Sequence, residues 1–292
     1  MGNGKGKTVR KFLPLLLLTP AILTILLLWL YPQLYLVYLS LFGAEGNQNQ
    51  YVGLMNFISL ANDSLFYQSL YTGLFFTAGS VFGTTLLGLG IALLFNVNLR
   101  GTRLYRTILL IPMILPTVVS AMTWKILYNP EIGFYNYFLS LFGVPPVDWL
   151  GSSSTALFSI LLFNIWQNTP FVCMIFSAAL LTLPREPLEA AQVDGASKWQ
   201  AFKHVTIQLL KPTVLLVLIF RTMWSFQALD EIYVLTAGGP GYSTLTLTVY
   251  AFLTSFFWLR FNYGSALVVT SIAVVAVLTG IYLRLIRRGG TR

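Results

Sequence analysis

The chain has 292 residues, 56% of them hydrophobic and only 9% charged, against roughly 25% charged in an ordinary soluble domain. At a mean hydropathy of +0.74 too little polar surface remains to hold a body of this size in water, which excludes a soluble globular enzyme. The formal net charge of +9, from 18 Lys and Arg against 9 Asp and Glu, fits nucleic acid, a lipid surface or an acidic partner, and the position of those charges decides between them.

A membrane-spanning helix needs about 20 mainly apolar residues. Six runs meet that length: Leu13 to Phe42, Tyr67 to Phe95, Leu104 to Tyr128, Thr155 to Leu183, Pro212 to Ala237 and Tyr263 to Ile286. The first is too long for a cleaved signal peptide and is read as a retained helix. Pro20, Pro32, Pro112, Pro116 and Pro170 fall inside the runs and are tolerated where neighbouring helices satisfy the freed backbone. The runs lack the two-residue alternation of a β-barrel, so the predicted fold is an all-α membrane protein with six transmembrane helices.

Basic residues set the orientation. Lys5, Lys7, Arg10 and Lys11 precede the first run, and Arg100, Arg103 and Arg106 follow the second. Arg185, Lys198, Lys203 and Lys211 follow the fourth, and Arg284, Arg287, Arg288 and Arg292 end the chain. Together they place 15 of the 18 basic residues on one side. The positive-inside rule makes that side cytoplasmic, with both termini inside. The net charge is then a topology and lipid signal, and nucleic acid is dropped as a partner. Glu45, Asp63, Glu131 and Asp148 lie in the opposite loops.

Catalytic chemistry finds little to stand on. Cys173, the single cysteine, cannot form an intrachain disulfide and reads as a packing residue. His204, the single histidine, has no cysteine or carboxylate at metal-ligand spacing, so no metal site is expected. The sequence holds neither a GxxxxGK[ST] phosphate loop nor a Ser/His/Asp set, and no cofactor is assigned to the chain itself.

The loop after the fourth run, Pro184 to Pro212, is the longest polar stretch with helical character. Pro187 suits a helix start and Leu188 to Val193 are mostly good helix formers. Asp194 and Gly195 break the pattern. Ser197 is placed to cap a second helix with Trp199, Phe202, Val205 and Leu209 on one stripe. Two short helices at an angle along the cytoplasmic face are predicted. Glu189-Ala190-Ala191, three residues, then Gly195 resembles the EAA loop of permease subunits of bacterial ABC importers, and Asp194, Gly195, Ala196, Trp199 and Phe202 resemble its carbohydrate-uptake branch. Gln208 stands where that family carries a proline. The segment from Ile232 to Gly241 (IYVLTAGGPG), with Ser243, Thr244 and Thr248, resembles the end of the penultimate helix of sugar permeases, and Tyr263 to Leu267 their last-helix entry.

The resemblance implies a type I ABC importer permease in the cytoplasmic (inner) membrane. Its N-terminal helix and outer loop would span 1–66 and its transmembrane domain 67–292, with a coupling loop at 184–212. Glu189, Ala190, Ala191, Asp194 and Gly195 would be the coupling residues that dock on a separate ATPase subunit. Implied partners are a second homologous permease, two ATPase subunits carrying ATP and Mg, an extracytoplasmic solute-binding protein and a sugar or polyol cargo.

For the cargo path, Asn164, Gln167 and Asn168 stand at i, i+3 and i+4 in the fourth run. This places three amides on one helix face, suited either to sugar hydroxyls or to interhelical hydrogen bonds. Trp166 and Phe171 are nearby rings that suit an apolar sugar face. In the fifth run Trp224, Gln227 and Glu231 share a face at i, i+3 and i+7, flanked by Arg221 and Asp230, with Arg221 read as pairing with a neighbouring subunit. Two alternatives differ in class. An ion-coupled secondary transporter would use Asp230, Glu231 or Arg221, yet the internal repeat typical of such folds is absent. A membrane-embedded enzyme would need a titratable cluster that only the 230/231 pair approaches.

Overall fold

The computed structural model describes residues 17–43, 50–96 and 101–289. Lys5, Lys7, Arg10, Lys11, Arg100 and Arg292, and Glu45 opposite them, lie outside these residues. In chain order the helices are α1 (Leu17–Ser40), α2 (Met55–Ala61), α3 (Ser64–Asn96), α4 (Thr102–Ile114), α5 (Thr117–Leu127), α6 (Phe134–Ser140), α7 (Ala156–Leu181), α8 (Glu186–Val193), α9 (Lys198–Phe226), α10 (Asp230–Thr236), α11 (Leu247–Phe257) and α12 (Phe261–Gly289). Among the described residues five helices are long and apolar enough to cross a membrane, and α4 with α5 supplies a sixth span if the bent pair is counted as one.

Two of the six apolar runs are not single helices. The third bends by 97° between α4 and α5. Proline explains the break: Leu115, forced out of the helical region by the Pro116 ring, is extended at φ −71°, ψ 136°. The fifth run breaks without a proline. Helix α9 begins at Lys198, well before Pro212, so the second loop helix predicted from sequence is not separate but runs through a π-helical turn, Phe202–Thr206, into the span. It then ends at Phe226, earlier than the apolar run predicts. Gln227 leaves helical geometry at φ −94°, ψ 8°, and the Thr248 hydroxyl donates to the Phe226 carbonyl at 3.0 Å. The broken end thus finds a side-chain partner from elsewhere in the chain, which no local pattern announces.

Contacts group the chain into two compact units. The first comprises 1–62 with 251–270, the second 63–250 with 271–292. In the first, the Asn56 amide donates to the Ser40 and Phe42 carbonyls at 2.7 Å each, and Asn262 donates to the Gly43 carbonyl at 2.6 Å. These amides tie the exit of α1 to helices distant in sequence.

The second unit is built on α3 against α7. A Cβ on Gly79 would lie 2.7 Å from the Leu161 side chain, one on Gly88 would lie 2.6 Å from Val172, and one on Gly83 would overlap Ile165. Small residues therefore let two backbones approach where lipid offers no hydrophobic drive toward association. Gly90 on the same helix faces open space instead. A buried cluster of Ala92, Val172, Cys173, Phe176, Leu180, Leu210 and Val217 brings α9 onto this pair. The connection between α5 and α7 is pinned by Asn136. Its amide donates to the Pro130 and Val147 carbonyls, and its oxygen accepts from the Val147 N–H and the Trp149 indole.

Candidate functional site

Within the second unit a cavity of about 430 Å³ opens between α7, α9, α10 and the break after α4. Its lining includes Leu115 and Thr117 at the break, Asn164, Gln167, Asn168 and Phe171 from α7, and Arg221, Trp224, Gln227, Asp230 and Glu231 from α9 and α10. All six residues predicted from the sequence to face a solute path thus line one void. The breaks place them there: Gln227 ends α9, so Trp224, Gln227 and Glu231 converge although they do not share one continuous helix face.

Polar chemistry at the wall is organised by Arg221, whose side chain is 1% exposed. It does not serve as a contact for a neighbouring subunit, as the sequence suggested; its donors are used within this chain. Nη1 donates to Asn168 Oδ1 at 2.8 Å and Nε to Thr84 Oγ1 at 3.3 Å. Nη2 lies within 2.7 Å of Ser80 Oγ and 3.0 Å of both Asn164 Oδ1 and Ser225 Oγ. Asn164 then turns its other side toward Glu231, donating from Nδ2 to Oε1 at 2.7 Å. A guanidinium only donates and the Glu231 Oε1 accepts, so the Asn164 amide bridges Arg221 and Glu231 in the one orientation that satisfies both. Ser80 donates to Asn164 Oδ1 at 2.5 Å, and its Oγ lies 2.7 Å from that of Ser225.

One of the two uses that spacing left open for the amides, interhelical hydrogen bonding, is present in this network. Asn164 and Asn168 are committed to the protein, the latter also donating to the Asn164 carbonyl at 2.8 Å. Gln167 reaches the Leu115 carbonyl and Thr117 Oγ1 only at 3.4 Å, and so spans the proline break loosely. Gln227 and Trp224 are exposed at the cavity wall, the indole at 50%. Trp224 packs on Phe171 with ring centroids 4.9 Å apart, so Phe171 lines the void as proposed. Trp166 does not; it joins Trp124 at 5.2 Å in a separate aromatic cluster.

Ser80, Thr84 and Ser225 escaped the sequence reading. Ser80 and Thr84 stand at i and i+4 on the glycine-bearing α3, a hydroxyl spacing that was available as a signal. Lys125 donates to the Val234 carbonyl near the end of α10 at 3.0 Å.

The loop between α7 and α9 has its own geometry. Helix α8 has no buried residue, and Val193 at its end is 88% exposed. Gly195 sits at φ +78°, and the Ala196 and Gly195 N–H groups donate to the Ala191 and Gln192 carbonyls at 2.9 and 3.1 Å. This Schellman closure terminates α8. Ser197 then starts α9 through a reciprocal capping box with Gln200, as its position predicts. Glu189, Ala190, Asp194 and Gly195 are exposed and Ala191 is half-buried, so the predicted coupling residues form one short projection that rests against the start of α9.

Residues 84–289 match the family described as binding-protein-dependent transport system inner membrane component. The chain is 38% identical over 238 residues to the trehalose/maltose transport system permease protein MalF of Thermococcus litoralis, covering 81% of this chain and 80% of that one. It is 36% identical to the sulfoquinovosyl glycerol transport system permease protein SmoG of Agrobacterium fabrum, covering 95% and 91%. A solved bacterial ABC transporter involved in import of the acidic polysaccharide alginate contains a chain that superposes with a TM-score of 0.85 at 21% identity, over 97% of this chain and 98% of that one.

Proposed function

Because the chain belongs to the binding-protein-dependent transport system inner membrane components, it is a multi-pass permease subunit of an ABC importer whose ATP is hydrolysed by separate subunits, and we propose that it passes a sugar or sugar-like polyol through the cavity beside Trp224. The observation that carries this reading is the lining itself: the amides of Gln167 and Gln227 and the indole of Trp224 meet in one void of about 430 Å³. Amides offer the mixed donors and acceptors that hydroxyls need, and an indole face suits the apolar side of a sugar ring. The named cargo of relatives, trehalose and maltose in one case, is consistent with it.

The void supplies half a pathway, and a second homologous permease would complete it. An extracytoplasmic solute-binding protein would deliver cargo, and two ATPase subunits, holding ATP and Mg, would drive alternation. Their motion would enter through Glu189, Ala190, Ala191, Asp194 and Gly195, on the short helix that rests against the start of α9. By the positive-inside rule that projection, with both termini, would lie in the cytoplasm.

Gln227→Leu tests the path in proteoliposomes carrying the complete transporter. Losing one neutral hydrogen bond predicts uptake lower by about fivefold, from roughly 1 kcal/mol, with assembly unchanged and transport still strictly ATP-dependent. Wild-type uptake by this variant would remove the cavity from the path. Asn168→Leu is the less discriminating variant, because it also strips a ligand from Arg221.

A further inference from the structure

The charges around the cavity point to a narrower class of cargo. Three titratable side chains line it: Arg221, Asp230 and Glu231. Arg221 is the cation, and its three nitrogens are directed at Thr84, Asn168, Ser80, Asn164 and Ser225. An anionic solute that sought the guanidinium would have to displace interior ligands held at 2.7 to 3.0 Å. Its charge is also answered inside the protein, since Asn164 links it to Glu231.

What the wall offers an entering solute is otherwise neutral or negative. Gln227 and Trp224 are exposed and uncharged, and the exposed Asp230 adds a carboxylate next to buried Glu231. A like charge placed in a partly desolvated cavity is disfavoured far more than in water. From this arrangement we propose that the cavity admits neutral polyhydroxylated solutes and rejects anionic ones, sugar phosphates and uronates included, with Asp230 as the residue that discriminates. The proposal rests on the reading of this cavity as the solute path.

Equilibrium binding to the purified complex of permeases and ATPases, without the solute-binding protein, tests the selectivity free of upstream choice. The probes are trehalose, maltose and sucrose, each against its 6-phosphate. A neutral sugar that binds should do so about tenfold or more tightly than its phosphate. Asp230→Asn, a change at an exposed position of the wall, should narrow that gap severalfold. Equal or tighter binding of the phosphate, or a gap untouched by Asp230→Asn, overturns the selectivity and leaves the path intact. Binding of none of the three neutral sugars overturns the path reading, and the selectivity with it.

Discussion

A buried guanidinium in a membrane bundle persists only if its N–H groups find acceptors and its charge finds a counterpart. Arg221 obtains the first from α3 and α7 and the second from Glu231 by way of Asn164. Removing it strands a carboxylate that is itself only 8% exposed. Arg221→Leu should therefore destabilise the assembled transporter by about 3 kcal/mol, read as a fall in its thermal unfolding midpoint in detergent. The double variant Arg221→Leu with Glu231→Leu should lose less than the sum of the two single changes, because it leaves neither charge alone. Additive losses would mean that Asn164 does not couple them. Composition flags both charges, since ionisable residues in apolar runs are rare. Their mutual tie was not legible, because Ser80, Asn164 and Arg221 lie far apart in sequence and only the packing of α3, α7 and α9 brings them together.

Helices α4 and α5 show how an element's boundary becomes readable: Pro116 makes its own break, and the sequence contains the proline. The end of α9 has no such marker, and the apolar run from Pro212 to Ala237 looks unbroken until Thr248 is seen capping Phe226. Where termination depends on a tertiary partner, local periodicity runs straight through it. The turn after α8 is the opposite case, with Asp194-Gly195 stopping one helix and Ser197 starting the next, all visible in the sequence. Gly195 carries a specific demand. Its φ of +78° is costly for a residue with a Cβ, by about 1 to 2 kcal/mol, while a Cβ there would meet nothing within 4 Å. Gly195→Val should leave the chain inserted yet tilt the projection, lowering uptake per ATP hydrolysed severalfold. Gly195→Asn, whose side chain tolerates the left-handed region, should retain most of it. Equal coupling in both variants, measured as uptake against binding-protein-stimulated hydrolysis, would free this turn from any role in transmission.

At the scale of the molecule, six apolar runs and the distribution of 18 basic residues give the architecture with little help from packing. What they could not give is the cavity, because it exists only through two broken helices and a glycine-lined contact between α3 and α7. The orientation proposed from charge can be checked directly. Cys173 is the single cysteine and is buried, so it contributes little background to thiol labelling. Ser153 and Gln192 are both exposed and lie in loops on opposite ends of α7. In intact spheroplasts a membrane-impermeant maleimide should label Ser153→Cys, while Gln192→Cys should react only after permeabilisation. Labelling of Gln192→Cys from outside would invert the topology and carry α8 away from any cytoplasmic ATPase. With Gln192 inside, an even number of spans would put the N-terminal basic cluster inside too, so this pair of variants tests the orientation of the whole chain.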